Sequence, residues 1–194
     1  MLETAVIGLG WWGGTITRTL KQSKKIKIVA GVDSDEKHGT EFTREHNIRF
    51  YKHIDDALGD ASIEAVIIAT PHGLHEEMFL ASVKAGKQIF CEKPFALRSK
   101  AARGMIKAAE AKGIVIGIGH ERRFEGAFEE IKRVVDAGEL GTLLHLEFNA
   151  SYNNMVKAPA KGWRKDPEQA PAGMMTALGV HQTDFMQTLA GSVD

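Results

Sequence analysis

The chain has 194 residues, of which 43% are hydrophobic, and its 25 basic side chains balance its 25 acidic ones. This composition is typical of a soluble globular protein that is long enough for one domain and part of a second. A formal net charge of zero gives no support for a nucleic acid or a membrane surface as partner.

The N-terminus and the cysteine content indicate a cytoplasmic protein. The first apolar run contains Glu3 and stops at glycines within ten residues, so it resembles neither a signal peptide nor a membrane-spanning helix. The single cysteine, Cys91, cannot form an internal disulfide, which fits a reducing compartment. It lies in an apolar run and is expected to behave as a small hydrophobic residue.

The first element is a short strand that leads into a glycine-rich turn. Residues 4–7 are apolar, and residues 8–13 (GLGWWG) match the pattern G-x-G-x-x-G, here called the glycine fingerprint. Gly8 would permit a tight turn, Gly10 the approach of a pyrophosphate, and Gly13 close packing of helix and strand. The phosphates would lie at the positive end of the helix.

The helix after the fingerprint is predicted to run from about Thr15 to Gln22. Trp11 and Trp12 occupy the variable positions of the fingerprint, where contact with the cofactor, contact with a second domain and ordinary packing all remain open. A glycine-rich turn by itself is weak support for a nucleotide site, so the residues that follow decide its meaning.

The second predicted strand, 27–32, ends on Asp33, which lies twenty positions after Gly13. An acidic side chain there can accept hydrogen bonds from both ribose hydroxyls of an adenosine and repels a 2′-phosphate. Residues 34–36 include no arginine, the residue that would accommodate that phosphate. The sequence therefore favours NAD over NADP as cofactor.

Helices and strands continue to alternate up to residue 120. Helices are predicted over 36–45, 55–58, 74–85 and 99–112, and strands over 48–51, 64–70, 88–91 and 114–119. This alternation predicts an α/β fold of the Rossmann type, a doubly wound parallel sheet with right-handed crossovers. Ligands bind beyond the carboxyl ends of such strands, and the polar clusters of this region all follow predicted strand ends. Residues 1–120 are therefore predicted to form a dinucleotide-binding domain.

From residue 121 the pattern changes. An amphipathic helix is predicted over 124–137, a half-exposed strand over 143–151, and a further helix over 176–189 that carries His181 and Asp184. Residues 121–194 are expected to begin a second domain, of the α+β class. Because a lone strand is not stable, its partners must come from the rest of a longer chain or from another chain.

Four motifs together resemble one known family. They are the glycine fingerprint, residues 69–72 (ATPH) with His75, residues 92–94 (EKP), and residues 179–184 (GVHQTD). They are similar to the glucose-fructose oxidoreductase/inositol dehydrogenase/MocA family, whose members are NAD(P)-dependent oxidoreductases that act mostly on sugars, cyclitols and related polyols. The resemblance implies a second domain with a large antiparallel sheet, an oligomer interface on that sheet, and a longer enzyme of which this chain is the N-terminal portion.

The resemblance also implies roles for individual residues. Lys93 is similar to the active-site lysine of the family, and Glu92 to an acidic neighbour that contacts the cofactor ribose. His181 matches a histidine that faces the lysine across the nicotinamide. Arg164, with Trp163 before it, is similar to a pair that lies near cofactor or substrate in many members.

The chemistry of alcohol oxidation explains why a lysine suits this position. A hydride leaves for the nicotinamide while a base takes the hydroxyl proton. Burial and the positive charge of oxidised nicotinamide both lower the pKa of a lysine, so Lys93 is predicted to be the principal acid/base. His181 is predicted to assist, although a core histidine bonded to a carbonyl is the alternative.

Ala177 replaces an aspartate that many family members carry, and Asp184 could substitute for it or pair elsewhere.

Other polar residues of these motifs are given simpler roles. Thr70, Pro71 and His75 follow a strand end and are predicted to line the cofactor edge. The spacing of His72 and His75 is not a zinc signature, so no metal site is predicted. The arginines at 122–123 could be solvated or could bind a substrate carboxylate.

The sequence as a whole predicts an NAD-dependent oxidoreductase that transfers hydride between the nicotinamide and a small hydroxylated substrate such as a sugar, cyclitol or polyol. Nucleic acid and membrane are not expected as partners, and the full-length protein is expected to be a homo-oligomer. Two rival hypotheses remain. The protein could retain NAD and recycle it during glycoside cleavage or coupled sugar redox, or it could be a non-catalytic, dinucleotide-binding regulatory protein.

Overall fold

The structure, a computed structural model, describes residues 1–151 and 163–192. The chain divides into two compact units, Met1–Gly119 and His120–Asp194. None of the helices among the described residues is both long and apolar enough to cross a lipid bilayer.

The N-terminal unit contains six strands. They are β1 (Leu2–Ile7), β2 (Ile26–Val32), β3 (Arg49–Tyr51), β4 (Ala65–Ile68), β5 (Gln88–Cys91) and β6 (Ile116–Ile118). All pairings are parallel, and the strand order is β3-β2-β1-β4-β5-β6. The order reverses between β1 and β4, which is the switch point where doubly wound sheets bind ligands. The predicted Rossmann fold is confirmed.

Helices cover both faces of this sheet. They are α1 (Trp11–Leu20), α2 (Glu36–His46), α3 (Ile54–Gly59), α4 (His75–Lys84) and α5 (Ser99–Glu110). Successive strand residues point to opposite faces, so Val6 packs with α1 and α2, whereas Ala5 and Ile7 pack with α3, α4 and α5. Because both faces are buried, the strands are apolar at consecutive positions.

Helix α1 begins earlier than the sequence predicts. The predicted start is Thr15, but the helix begins at Trp11, with Gly10 as its N-cap. Glycine disfavours helix interiors, yet Gly13 and Gly14 both lie in the first turn of this helix. A Cβ at Gly13 would lie 2.0 Å from the carbonyl oxygen of Gly8, so the contact between the first turn and β1 requires glycine there and overrides its poor propensity.

The described residues of the C-terminal unit are mainly helical. Helix α6 spans Gly126–Asp136 and follows a 3₁₀ turn at Glu121–Phe124; helix α7 spans Val180–Ala190 and follows a π-helical turn at Met175–Gly179. The two helices pack through Phe128 and Phe185, whose stacked rings have centroids 3.9 Å apart.

The strand predicted over 143–151 is not formed with any of the described residues. A strand requires hydrogen bonds to a neighbour and a covered apolar face. Leu144, on one side of the predicted strand, is 92% exposed, and Phe148 on the same side lies near the ring of Phe185 in α7, with centroids 6.0 Å apart, and not against a neighbouring strand. The predicted strand is therefore wrong for these residues, and the antiparallel sheet that the resemblance implies stays a prediction.

Candidate cofactor and active site

The carboxyl ends of five strands lie side by side at one edge of the N-terminal sheet. Their terminal residues are register partners: Val32, Ile7, Ile68, Cys91 and Ile118. The chain segments that follow these residues contain most of the predicted site residues of this unit. The sheet therefore brings the glycine fingerprint, Asp33, the Thr70–Pro71 turn and the Glu92–Pro94 turn to one edge.

The first glycine of the fingerprint is fixed by its neighbours in the sheet. Gly8 has a φ of 92°, a left-handed conformation that side chains disfavour. Its N–H donates to the carbonyl oxygen of Val32 at 2.8 Å, and an added Cβ would lie 2.9 Å from the carbonyl oxygen of Ala69. Gly8 therefore makes the tight turn that its place in the fingerprint predicts.

The second glycine faces open space. A Cβ on Gly10 would meet no atom within 4 Å, and no side chain caps the start of α1. The carbonyl oxygen of Gly10 accepts a hydrogen bond from the N–H of Gly14 at 2.9 Å. An uncapped helix start with room in front of it fits a pyrophosphate group.

Asp33 is held against the fingerprint. Its Oδ2 accepts a hydrogen bond from Leu9 N–H at 2.9 Å, and its Oδ1 accepts one from Asp35 N–H at 2.9 Å. A carboxylate has about four lone-pair sites, so capacity for ribose hydroxyls remains. His38 Nε2 lies 2.9 Å from the carbonyl oxygen of Leu9. Sequence reasoning missed His38, because no spacing rule connects α2 with this peptide.

Two buried polar atoms support the presence of a ligand at this edge. Trp12 Nε1 and Thr70 Oγ1 are shielded from solvent and find no hydrogen-bond partner among the described residues. An unsatisfied buried donor costs about 1–3 kcal/mol, so a ligand that supplies acceptors would stabilise both. Trp11 is 75% exposed, and its ring centroid lies 5.3 Å from that of Trp12. The residues present therefore fit a dinucleotide.

His75 lies buried among the turns that follow the strand ends, and its predicted role at the cofactor edge stays a prediction. It is the first residue of α4 and is fully buried, with Nδ1 2.8 Å from the carbonyl oxygen of Pro94 and Nε2 3.0 Å from that of Thr70. Burial is the main cause that lowers the pKa of His75, and the charge on Lys93 lowers it further. Its side chain thus connects two turns. Pro71 precedes α4 and accepts a hydrogen bond from Leu74 N–H at 3.0 Å.

The Glu92–Pro94 turn follows β5 and contains a cis peptide bond between Lys93 and Pro94. Glu92 is buried, and its Oε2 accepts a hydrogen bond from the backbone N–H of Lys93 at 3.2 Å. A Cβ at Gly119 would lie 2.6 Å from the Glu92 carboxylate, so this carboxylate lies directly against the backbone of Gly119. The predicted contact of Glu92 with a ribose stays a prediction, while its carboxylate holds the backbone of Lys93.

In the C-terminal unit, His181 lies beside a carboxylate that sequence reasoning missed. The ring is 3% exposed, and its Nε2 is 3.9 Å from Glu121 Oε1. The ring of His120 meets it edge-on, with centroids 6.1 Å apart. Glu121 also lies 4.0 Å from Arg122 Nε. Position 177 holds an alanine where many family members carry an aspartate. The Glu121 carboxylate, from another segment of the chain, lies near the same histidine.

Asp184 pairs with Arg123. Pairing with a group other than His181 is one of the two roles that the sequence leaves open for Asp184. Both of its oxygens accept hydrogen bonds from the guanidinium of Arg123, through Nη2 and through Nε at 2.7 Å. Its Oδ2 also lies 3.6 Å from His120 Nδ1. The hydrogen bond to Asp184 raises the pKa of Arg123. Arg123 is therefore occupied by a partner within its own unit.

Two further predictions concern Arg164 and metal binding. The backbone of Arg164 lies in a 3₁₀ turn, but its side chain is outside the described residues, so its predicted role stays a prediction. In the ranges 1–151 and 163–192, no three His, Cys, Asp or Glu side chains are grouped to hold a metal ion.

Burial raises the pKa of the Cys91 thiol to about 12, with a smaller contribution from the charge on Glu92.

Comparison with known families identifies the chain. Residues 2–120 match the family model described as "Oxidoreductase family, NAD-binding Rossmann fold", and residues 128–194 match the GFO/IDH/MocA C-terminal domain. The chain belongs to the Gfo/Idh/MocA oxidoreductase family, as its motifs predict, and its N-terminal unit is the NAD-binding domain of that family.

Individual relatives show how this family varies. Inositol 2-dehydrogenase 2 of Saccharopolyspora erythraea is 33% identical over 98% of this chain and 54% of its own length. A 2,7-anhydro-N-acetylneuraminate hydratase of Escherichia coli is 27% identical over 100% and 50%. A crystal structure from Desulfitobacterium hafniense, provisionally described as an NADPH-dependent oxidoreductase, matches with a TM-score of 0.91 and 29% identity over 98% and 55%. The chain thus spans about half the length of these relatives.

Proposed function

We propose that the full-length protein is an NAD-dependent oxidoreductase that transfers hydride between the nicotinamide and a hydroxyl-bearing carbon of a sugar, cyclitol or related polyol. The observation that supports this most is the position of Lys93, which follows β5 at the same sheet edge as the glycine fingerprint and Asp33. The similarity to an inositol dehydrogenase supports the substrate class.

Residues of the N-terminal unit would hold the cofactor. The backbone of Gly8, Gly10 and Gly13 provides a surface for the pyrophosphate, and Asp33 accepts hydrogen bonds from the adenosine ribose. Trp12 Nε1 and Thr70 Oγ1 donate to acceptors of the bound dinucleotide. We assign this role to residues 1–120 and the start of the substrate domain to residues 121–194.

Lys93 would transfer the proton. Bound NAD supplies the hydride acceptor, and the neutral amine of Lys93 takes the hydroxyl proton at Nζ during oxidation and returns it during reduction. His181 assists by accepting or donating a proton, and the nearby Glu121 carboxylate would stabilise its protonated form.

The first test measures cofactor binding and turnover separately in the full-length protein. We expect calorimetry to show tighter binding of NAD than of NADP, and Asp33→Ala to weaken NAD binding. Lys93→Ala should bind NAD normally and lose turnover on a panel of polyols, whereas Lys100→Ala, an exposed lysine, serves as the control. Full turnover by Lys93→Ala would contradict the proposal.

A second candidate function is an activity without net redox change, in which NAD is retained and recycled. The similarity to a hydratase favours it, because hydration consumes no external oxidant. NAD that is released only on denaturation, together with turnover that needs no added NAD, would support this candidate. Normal NAD binding without any turnover by the wild-type protein would instead support a regulatory role. We further propose that the protein is cytoplasmic, as its first residues and its single cysteine indicate, and that it is a homo-oligomer, as the resemblance implies.

A further inference from the structure

Two buried side chains, those of Glu92 and His75, contact the backbone on either side of the Lys93 side chain. On one side, the N–H of Lys93 donates to Glu92 Oε2 at 3.2 Å, and the Glu92 carboxylate itself lies against Gly119. On the other side, the carbonyl oxygen of Pro94 lies 2.8 Å from His75 Nδ1. The position of the Lys93 backbone therefore depends on two buried polar side chains.

His75 connects this turn with a second strand end. Its other nitrogen, Nε2, lies 3.0 Å from the carbonyl oxygen of Thr70, and the ring has no exposed surface. Both neighbours are acceptors, whereas a neutral imidazole has a single N–H. Because burial lowers the pKa of His75, the ring stays neutral, and only one of the two contacts contains a proton at any moment.

We propose that His75 is a positioning residue for Lys93, and that its Nδ1–H donates to the carbonyl oxygen of Pro94. Both ring nitrogens lie within hydrogen-bond distance of a carbonyl oxygen, and an N–H at Nδ1 would hold the one that directly follows Lys93. This inference rests on the proposed role of Lys93 as acid/base. It separates the two contacts of His75, since the Pro94 contact positions the turn of Lys93 and the Thr70 contact positions the Thr70–Pro71 turn.

The expected effect follows from the precision that catalysis requires. A catalytic group must be held within about 0.5 Å of its productive position, and a displacement of about 1 Å can cost about a hundredfold in rate. Loss of the Pro94 contact releases one end of the Lys93 turn, while the fingerprint and Asp33 keep their own hydrogen bonds. The turnover number should therefore fall without a matching loss of NAD affinity.

Two substitutions separate the two contacts. The amide nitrogen of asparagine can take the place of Nδ1, and that of glutamine can take the place of Nε2. In the full-length protein, we expect His75→Asn to keep kcat within about threefold of wild type and His75→Gln to lower it about ten- to hundredfold. His75→Gln, which keeps the contact with Thr70, should bind NAD as the wild type does, and both variants should lose similar thermal stability because each buries one amide.

His46 provides a matched control. Its Nδ1 lies 2.9 Å from the carbonyl oxygen of Phe42 in α2, so it makes the same kind of contact away from Lys93. His46→Gln should leave kcat unchanged. Equal losses of kcat in His75→Asn and His75→Gln, or no loss in either, would overturn the inference. A folded His75→Asn variant that loses more than about tenfold in kcat would overturn it by itself, even where His75→Gln does not fold.

A second readout keeps the inference separate from the proposed activity. Lysines labelled by reductive ¹³C-methylation give resonances in NMR spectra, and the Lys93 resonance is assigned by its absence in Lys93→Arg. His75→Gln should shift this resonance and His75→Asn should leave it in place. If the wild-type protein shows no turnover, the proposed function fails, and this comparison alone decides the positioning role. An unchanged resonance in His75→Gln would then refute it.

Discussion

The two units hold their candidate site residues in different ways. In the N-terminal unit, Asp33, Glu92 and His75 are bonded to backbone groups at the ends of parallel strands. In the C-terminal unit, Asp184 is bonded to the side chain of Arg123, and His181 lies near the carboxylate of Glu121. Backbone contacts in a buried sheet keep a fixed geometry, whereas ion pairs between side chains depend on exposure and salt.

The largest effect is expected where the backbone itself forms the site. Gly13→Ala would place a Cβ 2.0 Å from the carbonyl oxygen of Gly8, so α1 must move away from β1. We expect NAD affinity to fall about a hundredfold or more, which corresponds to about 3 kcal/mol. Calorimetry on the folded variant measures this loss. Gly104→Ala, where a Cβ meets no atom within 4 Å, is the control and should bind NAD normally.

A smaller effect is expected in the C-terminal unit. Asp184 is 7% exposed, and its partner Arg123 has a half-exposed side chain, so Asp184→Asn leaves a cation that water can still reach. We expect a loss of about 1–2 kcal/mol in the free energy of unfolding, measured with urea. Glu121→Gln, at a more exposed carboxylate, should cost less than Asp184→Asn. Equal costs would mean that burial does not distinguish these two ion pairs.

The smallest effect is a loss of stability of the N-terminal unit in acid. A hydrogen bond from Tyr51, followed by those from Ser62, lowers the pKa of Asp60 from 3.8 to about 2. A lowered folded-state pKa stabilises the fold above the unfolded value, and this contribution disappears as the pH falls from about 4 to about 2. Thermal unfolding across this range should therefore show a drop in Tm. Asp60→Asn should reduce the drop, and an unchanged profile would contradict the assignment.

Local patterns predicted the architecture of the N-terminal unit correctly. The glycine fingerprint, the apolar strands and the stop signals of the helices act over a few residues, so their spacing can be read directly. Helix α1 begins at Trp11 and not at the predicted Thr15, because the close contact of Gly13 with Gly8 brings the fingerprint residues into the first turn of the helix. The strand over 143–151 was predicted from alternation alone, which does not supply a partner.

The candidate site was only partly accessible to this reasoning. The motifs place Lys93 and Asp33 at strand ends, and parallel strands bring those ends together at one edge. The contacts that hold these residues come from positions without a spacing rule. His75 and Pro94 are 19 positions apart, and Arg123 and Asp184 are 61 apart.

The sequence by itself thus determined the family, the dinucleotide-binding fold and the sheet edge at which a cofactor is predicted to bind. It could do so because glycine conformation, strand periodicity and helix stop signals are properties of short segments. Only the tertiary structure decided that His75 is buried between two turns, that Asp184 pairs with Arg123, and that Glu121 lies beside His181. These are contacts between distant segments, and their geometry exists only once the chain has folded.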